Sequence, residues 1–187
     1  HKSLDIEVPL SELFKVAPVR GIHHYMQKAE KRVHQSIDPD EVREYYPLTT
    51  TQKRFFVFQQ MNPSDVSYNI SEIMLMEGEL SRERFETIFH RLLLRHESLR
   101  TSFHLLAGEP VQRVHEPGEM EFKIEYYGAG YNSADFIRPF DLSQPPPWRI
   151  GLAEIVPGKH YFMFDMHHIV SDGTSTGIFI RDFLALY

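Results

Sequence analysis

The sequence contains no cysteine among its 187 residues, and this absence excludes three kinds of chemistry. Disulfide bonds, zinc sites built on cysteine thiolates and cysteine nucleophiles cannot occur in this chain. A composition without cysteine is compatible with a reducing compartment. We therefore expect a cytoplasmic location.

Long apolar runs and an excess of positive charge are also missing. No apolar segment approaches the roughly 20 residues that a membrane-spanning helix needs, so no membrane partner is predicted. The 20 Lys and Arg residues are outnumbered by 26 Asp and Glu residues, which argues against nucleic-acid binding. The first residues, 1–5, lack an initiating Met and the apolar core of a signal peptide, and we interpret the chain as cut from a longer one.

Residues 1–34 predict a small all-α block. Pro9 and Pro18 each stand where a short helix would begin, a position that proline favours. A block of this size buries little surface by itself. Residues 35–44 are acidic and contain a proline, and they are predicted to be a linker.

From Tyr45 onwards the pattern alternates between helices and strands. The apolar run Asn69–Glu77 favours a strand covered on both faces. Ser81 is a suitable N-cap for an amphipathic helix, and the turn at Pro157-Gly158 favours a strand hairpin. The apolar stripe of the amphipathic helix consists of Phe85, Ile88, Phe89, Leu92 and Leu93. Further helices are predicted over 49–61 and 174–187, and strands over 100–106, 111–115, 122–126, 148–156 and 159–168.

Two adjacent histidines, His167 and His168, end the last predicted strand. Because side chains on a strand alternate between its faces, one imidazole should open into a cleft and the other should point into the body of the fold. Asp172 and Gly173 then turn the chain into a helix, whose first N–H groups are possible anion donors. From the residues alone, the segment contains a candidate general base next to a carboxylate.

The two histidines could also have a structural role, bind a metal or belong to a serine hydrolase. The chain has 11 histidines, and most histidines in proteins are packed or solvent-exposed without a catalytic role. Adjacent strand residues diverge, which disfavours joint metal ligation, so no metal is predicted. The Gly-x-Ser-x-Gly turn of a serine hydrolase does not occur in the sequence.

The segment His167–Gly173 resembles the His-His-x-x-x-Asp-Gly signature of nonribosomal peptide synthetase condensation domains. Arg95–Phe103 resembles a second signature of this family, Tyr46–Arg54 resembles the first, and Phe140–Arg149 resembles the segment before the paired strands. The resemblance covers 45–187 and implies the N-terminal lobe of an α/β, chloramphenicol acetyltransferase-like fold, a mixed sheet with flanking helices. In this family a C-terminal lobe completes the tunnel in which the substrates meet. This lobe is expected beyond the present chain, so the isolated fragment should be inactive.

Residues 1–34 resemble the C-terminal part of a peptidyl carrier domain. The serine that carries phosphopantetheine is then expected upstream of His1, so that no cofactor is attached within this chain. The implied partners are upstream and downstream carrier domains, an adjoining adenylation domain and the missing C-terminal lobe. A carrier leading directly into the condensation domain favours the subtype with an L-donor and an L-acceptor.

The resemblance implies formation of a peptide bond between two carrier-bound substrates. The amine of an acceptor aminoacyl thioester attacks the thioester carbonyl of a donor acyl or peptidyl group. His168 is then the catalytic imidazole, either as a general base or as a group that positions the amine. The sequence does not distinguish between these two roles of His168.

The supporting residues are assigned by the same resemblance. His167 is expected to face inward and to be structural. Asp172 is expected to form a buried ion pair with Arg100, and Arg95 is expected to fix a helix end. Gly173 either permits close approach of the pantetheine arm or is a turn glycine.

Two other functions compete with peptide-bond formation. An epimerization domain shares the signature and would use His168 to exchange the proton at the substrate Cα. A non-catalytic scaffold that docks carrier domains would retain the motif as a relic, although the intact signature disfavours this possibility.

Overall fold

The computed structural model describes residues 40–187, and Arg43–Tyr187 form one compact unit. The block 1–34 and its predicted helices lie outside the described residues. Within 40–187, no helix is long and apolar enough to cross a membrane. The elements are β1 (Tyr46–Pro47), α1 (Thr50–Met61), β2 (Asn69–Glu77), α2 (Arg82–Arg95), β3 (Thr101–Leu106), β4 (Glu109–Val114), β5 (Glu125–Tyr127), β6 (Trp148–Val156), β7 (Lys159–His167) and α3 (Gly173–Leu186).

Two sheets organise these elements. The larger sheet has the strand order β2-β7-β6-β5, in which β2 and β6 run antiparallel to β7 and β5 runs parallel to β6. The smaller sheet has the order β1-β4-β3 and is antiparallel. The central position of β7 places the end of this strand, and the histidines there, between two neighbouring strands.

Helix α2 covers one face of the larger sheet, as its sequence predicts. The Ser81 hydroxyl accepts a hydrogen bond from the backbone N–H of Arg84 at 3.3 Å and so caps the helix. All five residues of the predicted apolar stripe are buried. They pack against β6, β7 and α3 through Trp148, Ile150, Phe162, Phe164, Met166, Phe179 and Phe183. The predicted helix and its core face are therefore confirmed.

Strand β7 carries different chemistry on its two faces. The face towards α2 and α3 is apolar, whereas Met163, Asp165 and His167 share the other face and are all 0% exposed. Gly151 on β6 permits close packing there, since a Cβ at this position would lie 2.7 Å from side-chain carbons of Met163 and Phe136. Two polar side chains, Asp165 and His167, are thus fully buried on this face near the end of β7.

The prediction that β2 is covered on both faces is wrong. Ile73, Met74 and Leu75 are 38%, 48% and 55% exposed. Strand β2 lies at the edge of the sheet and pairs with β7 alone, so the described chain covers only part of it. An apolar run does not reveal whether a strand is central or at an edge.

Candidate active site

The segment after β7 is a tight turn that leads into α3. The backbone N–H of His168 donates to the Tyr68 carbonyl at 2.8 Å, and the N–H of Val170 donates to the His167 carbonyl at 3.2 Å. The first hydrogen bond anchors the turn to Tyr68, the residue before β2, and the second closes the turn itself. The backbone at His168 is thus fixed by its own strand and by the neighbouring segment.

His167 lies inside the protein, with no exposed surface. Its Nδ1 accepts a hydrogen bond from the Ile169 N–H at 3.0 Å, and its Nε2 lies 3.4 Å from Oε1 of Gln59. The Gln59 amide nitrogen donates to the Pro63 carbonyl at 3.3 Å, which orients Oε1 towards the imidazole. Because Nδ1 accepts, Nε2 carries the proton and donates to Gln59. Both ring nitrogens are therefore occupied by structural partners.

Burial, with a smaller contribution from the neighbouring His168, lowers the pKa of His167 from its usual 6.5 to about 4. Desolvation disfavours the charged imidazolium. His167 is accordingly neutral near neutral pH and is unsuited to accept a proton from a substrate.

Acidification is expected to destabilise the fold through His167. Between a pH of about 6.5 and about 4 the unfolded chain binds a proton at this residue and the folded chain does not, so the free energy of unfolding falls as the pH falls through this window. The full difference corresponds to about 3 kcal/mol. Denaturant unfolding at a series of pH values measures this change in the free energy of unfolding. In the variant His167→Gln, whose side chain does not titrate, the free energy of unfolding should depend less steeply on pH. An equal slope in both proteins would contradict this assignment.

His168 has the opposite hydrogen-bonding arrangement. Its Nδ1 lies 2.7 Å from the backbone carbonyl oxygen of Ser171, and a carbonyl can only accept, so Nδ1 carries the proton. In a neutral ring, Nε2 then has a free lone pair, and no hydrogen-bond partner contacts it among residues 40–187. The ring is partly exposed. In the neutral form of His168, Nε2 is therefore free to accept a hydrogen bond or a proton, as an amine-binding group or a general base requires.

One aromatic ring lies against His168, and the sequence did not identify it as a site residue. Phe55 of α1 stacks on the imidazole, and Tyr68 contacts Phe55 at a centroid separation of 4.7 Å. Of the three phenylalanines of α1, Phe55, Phe56 and Phe58, only Phe56 is buried. Partial exposure next to a histidine is the signal that distinguishes Phe55, and it requires the tertiary structure.

The predicted buried ion pair between Asp172 and Arg100 is wrong. Asp172 is exposed and caps α3, where its Oδ1 accepts hydrogen bonds from the N–H and the hydroxyl of Ser175, both at 2.8 Å. These hydrogen bonds lower the pKa of Asp172. The guanidinium of Arg100 instead donates to the His115 carbonyl and to Glu97. A carboxylate at the start of a helix finds free backbone N–H groups as its nearest donors.

Replacing Asp172 by alanine is expected to lower the free energy of unfolding by about 1 kcal/mol, because the cap of α3 is lost. Asp172→Asn should retain most of this stability, since its side-chain oxygen can accept the same hydrogen bonds. Thermal unfolding of both variants measures the effect. Equal melting temperatures of Asp172→Ala and the unaltered protein would refute the capping role.

Arg95 lies away from the His168 ring and connects two helices. Its Nε lies 3.0 Å from Oδ2 of Asp182 on α3, and Nε2 of His96 lies at the same distance from this oxygen. Desolvation alone would raise the pKa of Asp182, but hydrogen bonds from Arg181 and His96 and the charge of Arg95 lower it overall. The end of α2 is thereby held against α3.

Gly173 is the first residue of α3 and lacks a positive φ. A Cβ at this position would meet no atom of the described residues within 4 Å. Neither the backbone conformation nor packing within 40–187 therefore requires glycine, and the turn-glycine interpretation is wrong.

Comparison with known proteins agrees with this geometry. Residues 42–187 match the family described as "Condensation domain". The chain is 41% identical over 192 residues to Gramicidin S synthase 2 of Brevibacillus brevis, which covers 100% of this chain and 4% of the synthase. It is 42% identical over 188 residues to Surfactin synthase subunit 2 of Bacillus subtilis, covering 98% of this chain and 5% of that subunit.

Solved structures show the same fold. The starter condensation domain of rhizomide synthetase RzmA superposes with a TM-score of 0.67 at 21% identity, over 76% of this chain and 38% of that chain. The four-domain nonribosomal peptide synthetase holo-AB3403 gives a TM-score of 0.68 at 22% identity, over 82% of this chain and 12% of that chain. The predicted chloramphenicol acetyltransferase-like α/β lobe is thereby confirmed. With its signature segments inside the matched range, the chain belongs to the condensation-domain family of nonribosomal peptide synthetases.

Proposed function

We propose that this chain supplies the catalytic imidazole for peptide-bond formation between two carrier-bound substrates. The acceptor amine attacks the donor thioester carbonyl, a C–N bond forms, the C–S bond breaks, and the donor carrier leaves as a thiol. The amine loses one proton in this exchange. The observation that carries the proposal is the 2.7 Å contact of the His168 Nδ1 with the Ser171 carbonyl oxygen, which leaves Nε2 of this partly exposed ring without a hydrogen-bond partner among residues 40–187.

His168 can assist this reaction in two ways. As a general base, Nε2 takes the proton of the attacking amine, and the Ser171 carbonyl stabilises the resulting imidazolium through Nδ1–H. As a positioning group, Nε2 accepts a hydrogen bond from the amine and aligns it with the carbonyl. In either case, Asp172 caps the helix that follows the turn.

The remaining residues have supporting roles in this proposal. His167 fixes the turn through the Ile169 N–H and Gln59, and Arg95 holds α2 against α3 through Asp182. The open space beside Gly173 fits close approach of the pantetheine arm. When bound, phosphopantetheine supplies the thiol that tethers each substrate as a thioester.

The proposed partners follow from the family. We infer that residues 1–34 are the end of a peptidyl carrier domain, that 35–44 link it to the condensation domain beginning at residue 45, and that the phosphopantetheine-bearing serine lies upstream. A downstream carrier, an adenylation domain and a C-terminal lobe would complete the machinery. The chain spans about 4% of the Gramicidin S synthase 2 that it matches. A cytoplasmic location would keep the pantetheine thiols reduced.

A two-carrier assay on the complete condensation enzyme tests the proposal. The donor carrier is loaded with an aminoacyl group and the acceptor carrier with a second amino acid; intact-protein mass spectrometry follows transfer, and chiral chromatography of the released amino acids follows the configuration at the donor Cα. We expect the dipeptidyl group to appear on the acceptor carrier. Inversion at the donor Cα without transfer would support the epimerization alternative instead, and carrier binding with neither reaction would support the scaffold alternative.

A further inference from the structure

The aromatic ring of Phe55 lies against the face of the His168 imidazole. The two ring centroids are 5.2 Å apart and the planes meet at 29°. Phe55 also contacts the ring of Tyr68 at 4.7 Å, and the Tyr68 carbonyl accepts the backbone N–H of His168. One phenylalanine thus contacts both the imidazole and the residue that anchors its backbone.

The imidazole needs a second restraint besides its hydrogen bond. The terminal torsion of a histidine side chain has a broad energy profile, and a single hydrogen bond from Nδ1 to Ser171 still allows the ring to tilt about that contact. Stacking on a face restricts this tilt. The Phe55 face therefore determines the direction in which the Nε2 lone pair points.

Stacking also has an electrostatic consequence. The face of an aromatic ring carries partial negative charge and attracts a cation above it, more strongly where water is excluded. Phe55 is partly buried. A positive charge that develops on His168 during the reaction is stabilised by this ring.

We propose that Phe55 is a positioning residue for His168, holding the imidazole in the orientation that the condensation reaction requires. The inference rests on the proposed function of His168. The role of Phe55 is therefore not limited to packing, because its ring contacts the His168 imidazole, whose Nε2 has no hydrogen-bond partner among residues 40–187.

Helix α1 itself offers a matched control. Phe58 lies one helical turn after Phe55, is also partly buried, and contacts Tyr68 at 4.9 Å. Its ring makes no contact with His168 among the ring contacts of residues 40–187. Replacing Phe58 by leucine therefore removes a comparable amount of packing without touching the imidazole.

The test compares Phe55→Leu, Phe55→Tyr and Phe58→Leu in the two-carrier assay on the complete condensation enzyme. We expect Phe55→Leu to lower kcat by about 10- to 100-fold, the scale of a misplaced catalytic group, with little change in KM for the acceptor carrier. Phe55→Tyr, which keeps the aromatic face, should restore most of kcat, and Phe58→Leu should retain it. Equal kcat values for Phe55→Leu and Phe58→Leu would overturn the inference.

A second measurement covers the case in which Phe55→Leu fails to fold. In the unaltered enzyme, the carbon-bound imidazole protons of His168 should resonate upfield of ordinary values, because they lie over an aromatic face. Resonances at ordinary positions would also overturn the inference. The proposed function is tested separately: if the unaltered enzyme forms dipeptide and Phe55→Leu matches it, only the positioning role fails, whereas no dipeptide from the unaltered enzyme refutes the function itself.

Discussion

Replacing His168 by alanine is expected to lower the rate of dipeptidyl-carrier formation by roughly 10²- to 10⁴-fold, the usual contribution of a positioned acid–base group. The structure gives the reason: Nε2 of His168 has no hydrogen-bond partner among residues 40–187, whereas both nitrogens of His167 have structural partners. The side chain is partly exposed, so its loss should change stability by only about 1 kcal/mol. The two-carrier assay and a thermal melt measure the two effects.

His90→Ala is a control for this variant, because His90 is an exposed histidine on α2. It should retain the full rate. His168→Gln separates the two roles of the imidazole, since an amide can accept a hydrogen bond from the amine but cannot take its proton. A rate near that of the alanine variant indicates a base, and substantial recovery indicates positioning. Full turnover by His168→Ala would end the catalytic assignment.

The second large effect is expected at Arg149, and it concerns stability. Arg149 and Asp165 form a buried pair, with Nη1 and Oδ2 at 3.4 Å and side chains 10% and 0% exposed. Arg149 also donates to the Arg138 carbonyl at 2.9 Å and lies over the Phe140 ring at 3.7 Å. Burial raises the pKa of Asp165 and lowers that of Arg149 to about 10, so each charge depends on the other to remain ionised inside.

Arg149→Met should lower the free energy of unfolding by about 3–5 kcal/mol, because Asp165 loses its counterion and must then be buried either as an unpaired carboxylate or in its protonated form. Hydrogen bonds from Ser71 at 2.7 Å and Asn69 at 3.0 Å remain but do not neutralise it. The double variant Arg149→Met with Asp165→Leu should recover part of the loss, since no unpaired charge remains. Denaturant unfolding measures all three proteins. A loss below about 1 kcal/mol in the single variant would show that the pair is not needed.

This pair also bears on the active site. Asp165 lies two residues before His167 on the same face of β7, and Asn69 faces His167 across the strand pair. A variant without the pair is therefore expected to lose dipeptide formation in proportion to its unfolded fraction. A fully folded but inactive Arg149→Met would assign the pair a direct role in the site.

Local pattern was sufficient to predict the framework of the site. The stripe on α2 and the hairpin of β6 and β7 depend on periodicity and turn residues that adjoin each other in sequence. The alternation along β7 predicted that one of the two histidines points inward, and the family resemblance assigned this position to His167, which is 0% exposed. These features required no knowledge of distant partners.

Features that depend on distant partners were not predictable in this way. Gln59, whose side-chain oxygen lies 3.4 Å from Nε2 of His167, is 108 residues away in the sequence. The predicted ion pair between Asp172 and Arg100 was wrong, because a sequence signature shows which residues are present but does not show which side chains they contact. The stacking of Phe55 on His168 likewise arises only when α1 packs beside the end of β7.

NMR of the imidazole nitrogens, in isotope-labelled condensation domain above the ordinary titration range of histidine, tests the central claim most directly. The two adjacent histidines should be opposite tautomers: His168 protonated at Nδ1 with a free Nε2, and His167 protonated at Nε2. A His168 protonated at Nε2 would have no lone pair to offer the acceptor amine, and that result would contradict the account.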